Sequence, residues 1–212
     1  MNHRILLALA ALAAIAGAFL LYHSVQRAPR INLNPYAALG AITAEETSSL
    51  LGKRGSVVIV ISDPGDENDP VMDAQLAAFK TTLKKSGGVT VAAVETVKMD
   101  PFQRMSTGGA LPADQFTKLL ETHRSAAAFL FFIGFPALGE SAIAKIKQTP
   151  VKFIVASACL PGYRELIRQR VFHLAIVPRV GDAPGGNPVT MREWFDQDYV
   201  LATPETADRL PY

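Results

Sequence analysis

The sequence predicts an α/β domain: a three-layer αβα sandwich around a five-stranded, mainly parallel sheet, preceded by one N-terminal transmembrane helix. Three observations lead there. The run Ile5 to Tyr22 holds eighteen residues without a charge. Continuous β-branched and aromatic runs then recur along the chain, as expected for strands covered on both faces. Segments with helical spacing of apolar residues separate those runs.

The first thirty residues carry two competing readings. A spanning helix needs about 20 mostly apolar residues, so the run is just long enough to cross a bilayer. Its expected bilayer-facing side chains are Ile5, Leu6, Leu9, Phe19, Leu20, Leu21 and Tyr22. A cleaved signal would use Ala14 and Ala16, before Gly17. The apolar run continues past that position, whereas a signal core ends before its cleavage site, so an uncleaved anchor is favoured. Arg4 precedes the run, and Arg27 and Arg30 follow it, which leaves the positive-inside rule ambiguous. A very short N-terminal tail places the bulk of the chain on the periplasmic side of an inner membrane, as a single-pass protein.

Residues 1–26 are thus the anchor. Residues 27–43 read as a stalk, because Pro29, Asn32, Asn34 and Pro35 break regular structure. Residues 44–180 form the α/β domain. Ala44 to Leu51 reads as a short helix, with Thr43 as its cap and Glu46 completing a capping box. Ser56 to Ser62 is the first strand. Val71 to Lys85 is a helix with Met72, Leu76, Phe79 and Leu83 on one face, stopped by Gly87-Gly88. Val89 to Val97 is the second strand, and Pro101 to Leu111 a loop. Helix Pro112 to His123, strand Ala126 to Ile133, helix Ala137 to Lys147 and strand Val151 to Ser157 follow. Helix Leu160 to Gln169 and strand Val171 to Val177 complete the alternation. The result is a Rossmann-like or flavodoxin-like order of elements. Residues 181–212 begin with a Gly/Pro loop and read as an appendage that packs back through Trp194, Phe195 and Tyr199.

Composition removes several function classes. The chain holds 21 Lys+Arg against 19 Asp+Glu, and no basic cluster marks a nucleic-acid surface. The one cysteine, Cys159, leaves no intrachain disulfide, so a buried core must hold the fold. Neither a Gly-rich dinucleotide fingerprint nor a P-loop is present. There is no Gly-x-Ser-x-Gly elbow either. No cofactor and no metal are expected.

Ligands of an open parallel sheet gather beyond the carboxyl ends of its strands. The candidates there are Asp63 and Asp66 after the first strand, Gly134 and Phe135 after the third, and Ser157 and Cys159 after the fourth. Asp63, Asp66, Glu67 and Asp69 could hold a hard cation through oxygen. The same acids also suit capping, with Asp69 as N-cap and Pro70 in the first turn. Cys159, before a helix, would need a base to act as a nucleophile, and His123 and His173 both fall away from that edge. His173 reads as a structural histidine. Arg179 could meet an anion, although a surface ion pair is the simpler fate.

The segment Ser56 to Arg179 resembles one lobe of a periplasmic-binding-protein-type (type 1) α/β domain. The likeness is carried by VVIVIS, by LLETHRSAAAFLFFIGFP and by RQRVFHLAIVPR. In that family two such lobes close over a small solute. The resemblance therefore implies the sheet topology and, by itself, only one wall of a solute site.

Two functions follow. The first is a non-enzymatic interaction or accessory subunit, with the lipid bilayer and other membrane-complex proteins as partners. The second is a small-solute binding or sensing module with a small-molecule ligand. An enzyme of hydrolase type, using the strand-end carboxylates, is the remaining alternative.

Overall fold

The computed structural model describes residues 13, 15–17, 19, 31–65, 68–156 and 162–210. Two compact units divide the chain, Met1–Asn32 and Leu33–Tyr212. In the first, residues 13, 15–17 and 19 are helical, and Ile15 and Phe19 are exposed. The other expected anchor residues (Ile5, Leu6, Leu9, Leu20, Leu21, Tyr22) lie outside the described residues. Among the described residues, no helix is long and apolar enough to cross a membrane.

The second unit is an α/β sandwich on a six-stranded sheet. Its strands are β1 (Gly55–Ser62), β2 (Val89–Val97), β3 (Ala128–Phe131), β4 (Lys152–Ala156), β5 (Leu174–Pro178) and β6 (Tyr199–Ala202). They lie in the order β2-β1-β3-β4-β5-β6. The first five are parallel, and β6 runs antiparallel to β5. The helices are α1 (Asn34–Leu50), α2 (Pro70–Ser86), α3 (Pro101–Ser106), α4 (Ala113–Thr122), α5 (Glu140–Lys147), α6 (Tyr163–Arg168) and α7 (Met191–Asp198). A 3₁₀ turn, Ala207–Arg209, follows.

Alternate strand residues feed two apolar cores, as the period of two requires. Val58, Val60, Phe129, Phe131, Phe153 and Val155 pack with Phe116 of α4, Ile146 of α5 and Ile167 of α6. Val57, Ile59, Leu130 and Ile154 pack on the other face with Leu39 and Ile42 of α1, Phe79 and Leu83 of α2, and Phe195 of α7. Each such side chain, fully buried, contributes about 1.5–3 kcal/mol. The winding reverses between β1 and β3, where the chain passes from β2 across β1, so the topological switch point lies there.

The following expectations are corrected. The stalk ends early, and the short helix at Ala44 is the second half of α1, which begins at Asn34. Thr43 is no cap: it is buried mid-helix, and its hydroxyl donates to the Leu39 carbonyl at 2.6 Å. Gly40 explains how this Ala-rich segment packs. A Cβ there would lie 2.9 Å from the Gln75 carbonyl carbon and 3.1 Å from the Phe79 amide nitrogen. The backbones of α1 and α2 therefore touch where only glycine fits.

The sheet, expected with five strands, has six. The tail packs back on the domain through Phe195, Tyr199 and Trp194, and in doing so it supplies α7 and β6. Thr190 and Glu193 form a capping box that starts α7. Arg179 forms no ion pair of its own among the described residues. Its Nε donates to the Asp196 carbonyl at 2.7 Å and its Nη2 to the Tyr199 carbonyl at 3.3 Å, pinning the α7–β6 corner to β5. The predicted loop after β2 contains α3, because the Asp100 carboxylate accepts the Gln103 amide at 2.9 Å as its cap.

Candidate functional site: the carboxyl edge of the sheet

Asp63 leaves the end of β1 at the switch point. Its amide donates to the Val97 carbonyl of β2 at 2.9 Å. Its carboxylate accepts the Gly65 amide at 3.0 Å and faces the Lys98 ammonium at 3.7 Å. Those contacts shape a turn, since an Asp side chain bonding two residues on closes an Asx-turn. Asp69 caps α2 by accepting the Met72 amide at 2.9 Å, as its position before Pro70 foretells. Among the described residues no group of three His, Cys, Asp or Glu side chains could hold a metal. Asp66, Ser157 and Cys159 lie outside the described residues.

Gly134 and Phe135 prove to be builders of this edge. The strand line of β3 continues as an isolated parallel bridge between Ala110 and Gly134. The Leu111 amide donates to the Gly134 carbonyl at 2.8 Å. A Cβ on Gly134 would meet the Ala110 Cα at 2.8 Å, so glycine lets the β2–α4 connection close against β3. Phe135 is 2% exposed. Its ring meets Phe116 and Phe131 edge-on at 5.2 Å and Phe172 at 4.7 Å. An aromatic cluster at the end of β3 thus takes up most of its ring.

Beside this cluster, between the β3–α5 loop and α6, lies a cleft of about 510 Å³. Phe135, Pro136, Leu138, Ile143 and Leu166 give it apolar walls, and Thr107, Tyr163, Glu165 and Gln169 bring polar groups. The Tyr163 hydroxyl accepts the Phe135 amide at 3.3 Å, which fixes its ring over the inner end. Gln169 Nε2 donates to Glu165 Oε1 at 2.8 Å along one face of α6. A few oriented polar groups in an apolar hollow of this size suit a small solute. Sequence reasoning missed Tyr163, Glu165 and Gln169. Their signal was their place on the helix following β4, at the ligand-bearing edge.

The histidines stand elsewhere. His123 ends α4, and its Nε2 lies 2.6 Å from Glu95 Oε1 of β2. His173 precedes β5, and its Nδ1 accepts the Phe153 amide at 3.3 Å. Burial, then Lys152 and Arg170 nearby, lowers its pKa to about 4.

No family model and no curated protein matches this sequence. Solved structures do. AraP, an arabinose-binding protein from Geobacillus stearothermophilus, superposes with a TM-score of 0.56 at 15% identity, covering 84% of this chain and 64% of that one. An ABC-transporter solute-binding protein from Burkholderia graminis, in complex with D-arabinose, gives 0.54 at 17% identity, covering 83% and 61%. A XylFII–LytSN complex gives 0.53 at 15% identity, covering 80% and 60%. The likeness is one of fold. It bears out the resemblance to a periplasmic-binding-protein-type α/β domain, and this chain spans about three-fifths of the length of these relatives.

Proposed function

We propose that the chain is a small-solute binding module, tethered to a membrane by its N-terminal run with the α/β domain on the periplasmic side. The observation that carries this reading is the cleft of about 510 Å³ at the carboxyl edge, where folds of this type place their ligands. Relatives of the same fold include an arabinose-binding protein and a complex with D-arabinose, so a pentose or hexose is the solute class to try first. Glu165 and Gln169 would accept and donate hydrogen bonds to hydroxyls, and Leu138, Ile143 and Leu166 would cover the apolar face of a sugar ring.

The test is calorimetric titration of the full chain in detergent with D-arabinose and a panel of pentoses and hexoses. Saturable binding is expected, weakened about tenfold or more by Gln169→Ala, in line with ~1.4 kcal/mol for one lost contact. The absence of heat from every member of the panel would remove the reading.

A second reading, an interaction subunit, is favoured by one observation. Phe102 and Met105 on α3 stand 73% and 75% exposed beside the same edge. Large apolar side chains left in solvent mark contact surfaces. A partner in the same membrane would then supply the second wall of the solute site. Replacing both residues with Ser should release a partner that co-purifies in mild detergent while leaving the melting temperature unchanged.

A further inference from the structure

The opposite edge of the sheet carries a second cavity, and it is polar. It has a volume of about 530 Å³ and opens where β4 and β5 begin and α5 and α6 end. Lys147, Thr149, Lys152, Arg168, Arg170 and His173 line it. Four of these six are permanent cations at neutral pH, and no carboxylate lines the space.

Counter-charges offset only half of that set. Arg168 is held by Asp208, with Nε to Oδ1 at 2.6 Å, and by Glu165 at 3.8 Å. Arg170 meets Glu205 at 3.5 Å. Lys147 and Lys152 have no ion pair among the described residues. Arg170 also sits at φ 59, in the left-handed region that non-glycine residues seldom adopt. A cation is thus kept beside the cavity on a backbone conformation that glycine would hold more easily.

His173 completes the arrangement. Its Nδ1 already accepts the Phe153 amide, so the neutral ring carries its proton on Nε2 and has one donor left. The charged groups around it come from α5 (Lys147), β4 (Lys152), α6 (Arg168) and the α6–β5 turn (Arg170), and all are positive. Burial, and then Lys152 and Arg170, hold the ring neutral at physiological pH. A multivalent anion in the cavity would reverse that field.

We propose that this cavity is a binding site for a phosphate group, with Lys147, Lys152 and Arg170 supplying charge and Arg168 and His173 supplying further donors. Phosphate fits because it takes several donors at once and carries more than one negative charge. Gln169 lines both this cavity and the solute cleft, so the test uses Lys152 and Arg170, which line this cavity and not the solute cleft.

The experiment uses the full chain in detergent micelles at low ionic strength and pH 7. Inorganic phosphate is the probe, with calorimetry and the NMR titration of the His173 ring as readouts. Saturable binding is expected, together with an upward move of the His173 midpoint from about 4 when phosphate is present. Lys152→Gln and Arg170→Gly should each weaken binding about tenfold or more. Arg170→Gly should keep or raise the melting temperature, because glycine adopts φ 59 without strain, so its loss of binding cannot be blamed on unfolding. Vesicles containing phosphatidylglycerol, added in place of phosphate, distinguish a lipid headgroup from a soluble phosphate. Binding to vesicles but not to inorganic phosphate would overturn a pocket scaled to a small molecule. So would an unmoved His173 midpoint, or equal binding by native chain and variants.

Discussion

Gly40→Ala puts the packing of α1 on α2 to a direct test. The added methyl group would stand 2.9 Å from the Gln75 carbonyl carbon and 3.1 Å from the Phe79 amide nitrogen, and closer still to the Gln75 carbonyl oxygen. Real Cβ atoms essentially never come within 3.0 Å of such an atom. The obstacle is helix backbone, which cannot rotate aside as a side-chain tip would. The two helices must therefore part, loosening Leu39 and Ile42 against Phe79 and Leu83 in the core beneath them. Overpacking of this kind costs about 1–3 kcal/mol, and the upper end applies to backbone. Alanine returns up to about 1 kcal/mol through its better helix propensity. The net loss is about 2 kcal/mol, which lowers the melting temperature by ~4–8 °C for a chain of this size. Gly185→Ala is the control, since a Cβ there meets nothing within 4 Å. Thermal melts followed by near-ultraviolet circular dichroism read both variants. An unchanged or raised melting temperature for Gly40→Ala would refute a backbone contact between α1 and α2.

Two further predictions concern the domain. His173 has a folded pKa of about 4 against an ordinary value of 6.5, so the unfolded chain binds more protons between these values. Its contribution to stability is complete above pH 6.5 and is lost as pH falls towards 4, by about 1 kcal/mol between pH 7 and 5 once screening at the half-buried ring is allowed for. Chemical denaturation should find a shallower decline over that range in His173→Asn. Arg179→Ala removes two charge-assisted bonds to the Asp196 and Tyr199 carbonyls, and about 1.5–3 kcal/mol with them. Hydrogen exchange should quicken first in residues 191–202, and uniform quickening would contradict a local clamp.

The parts of the fold that were legible in the sequence are those in which burial dictates residue type. Strands β1, β3, β4 and β5 are covered on both faces, and only uninterrupted apolar runs such as Val57 to Val60 and Ala128 to Phe131 satisfy that. Asp69 and Pro70 announced the start of α2 because their cap chemistry is local. The start of α1 was hidden for the converse reason. Besides Leu39 and Ile42, its buried residues are small (Ala38, Gly40, Ala41, Thr43, Ala44, Thr47 and Ser48), and they carry little contrast between faces. Strand β6 was hidden by its length and polar surroundings: Tyr199–Ala202 becomes a strand through pairing with β5, not through its own pattern.

The carboxyl edge was found in outline, and its detail came only with the structure. Its position follows from parallel topology, which the alternation of elements implied. The polar side chains of the cleft, Tyr163, Glu165 and Gln169, sit on α6, and only the three-dimensional path of that helix turns them towards Phe135 and Leu138. Asp63 was conspicuous as a carboxylate, yet its carboxylate closes a turn and pairs with Lys98. Phe135 stood out as an aromatic at a strand end, but it is consumed by Phe116, Phe131 and Phe172.

The most direct measurement of the solute-binding proposal is amide NMR of the isotopically labelled chain, titrated with D-arabinose and the other sugars of the panel. The expected result is a saturable set of shifts confined to Thr107, Phe135, Leu138, Tyr163, Glu165 and Gln169. Shifts that cluster elsewhere on the domain, or no shifts with any sugar, would contradict a solute site at the carboxyl edge.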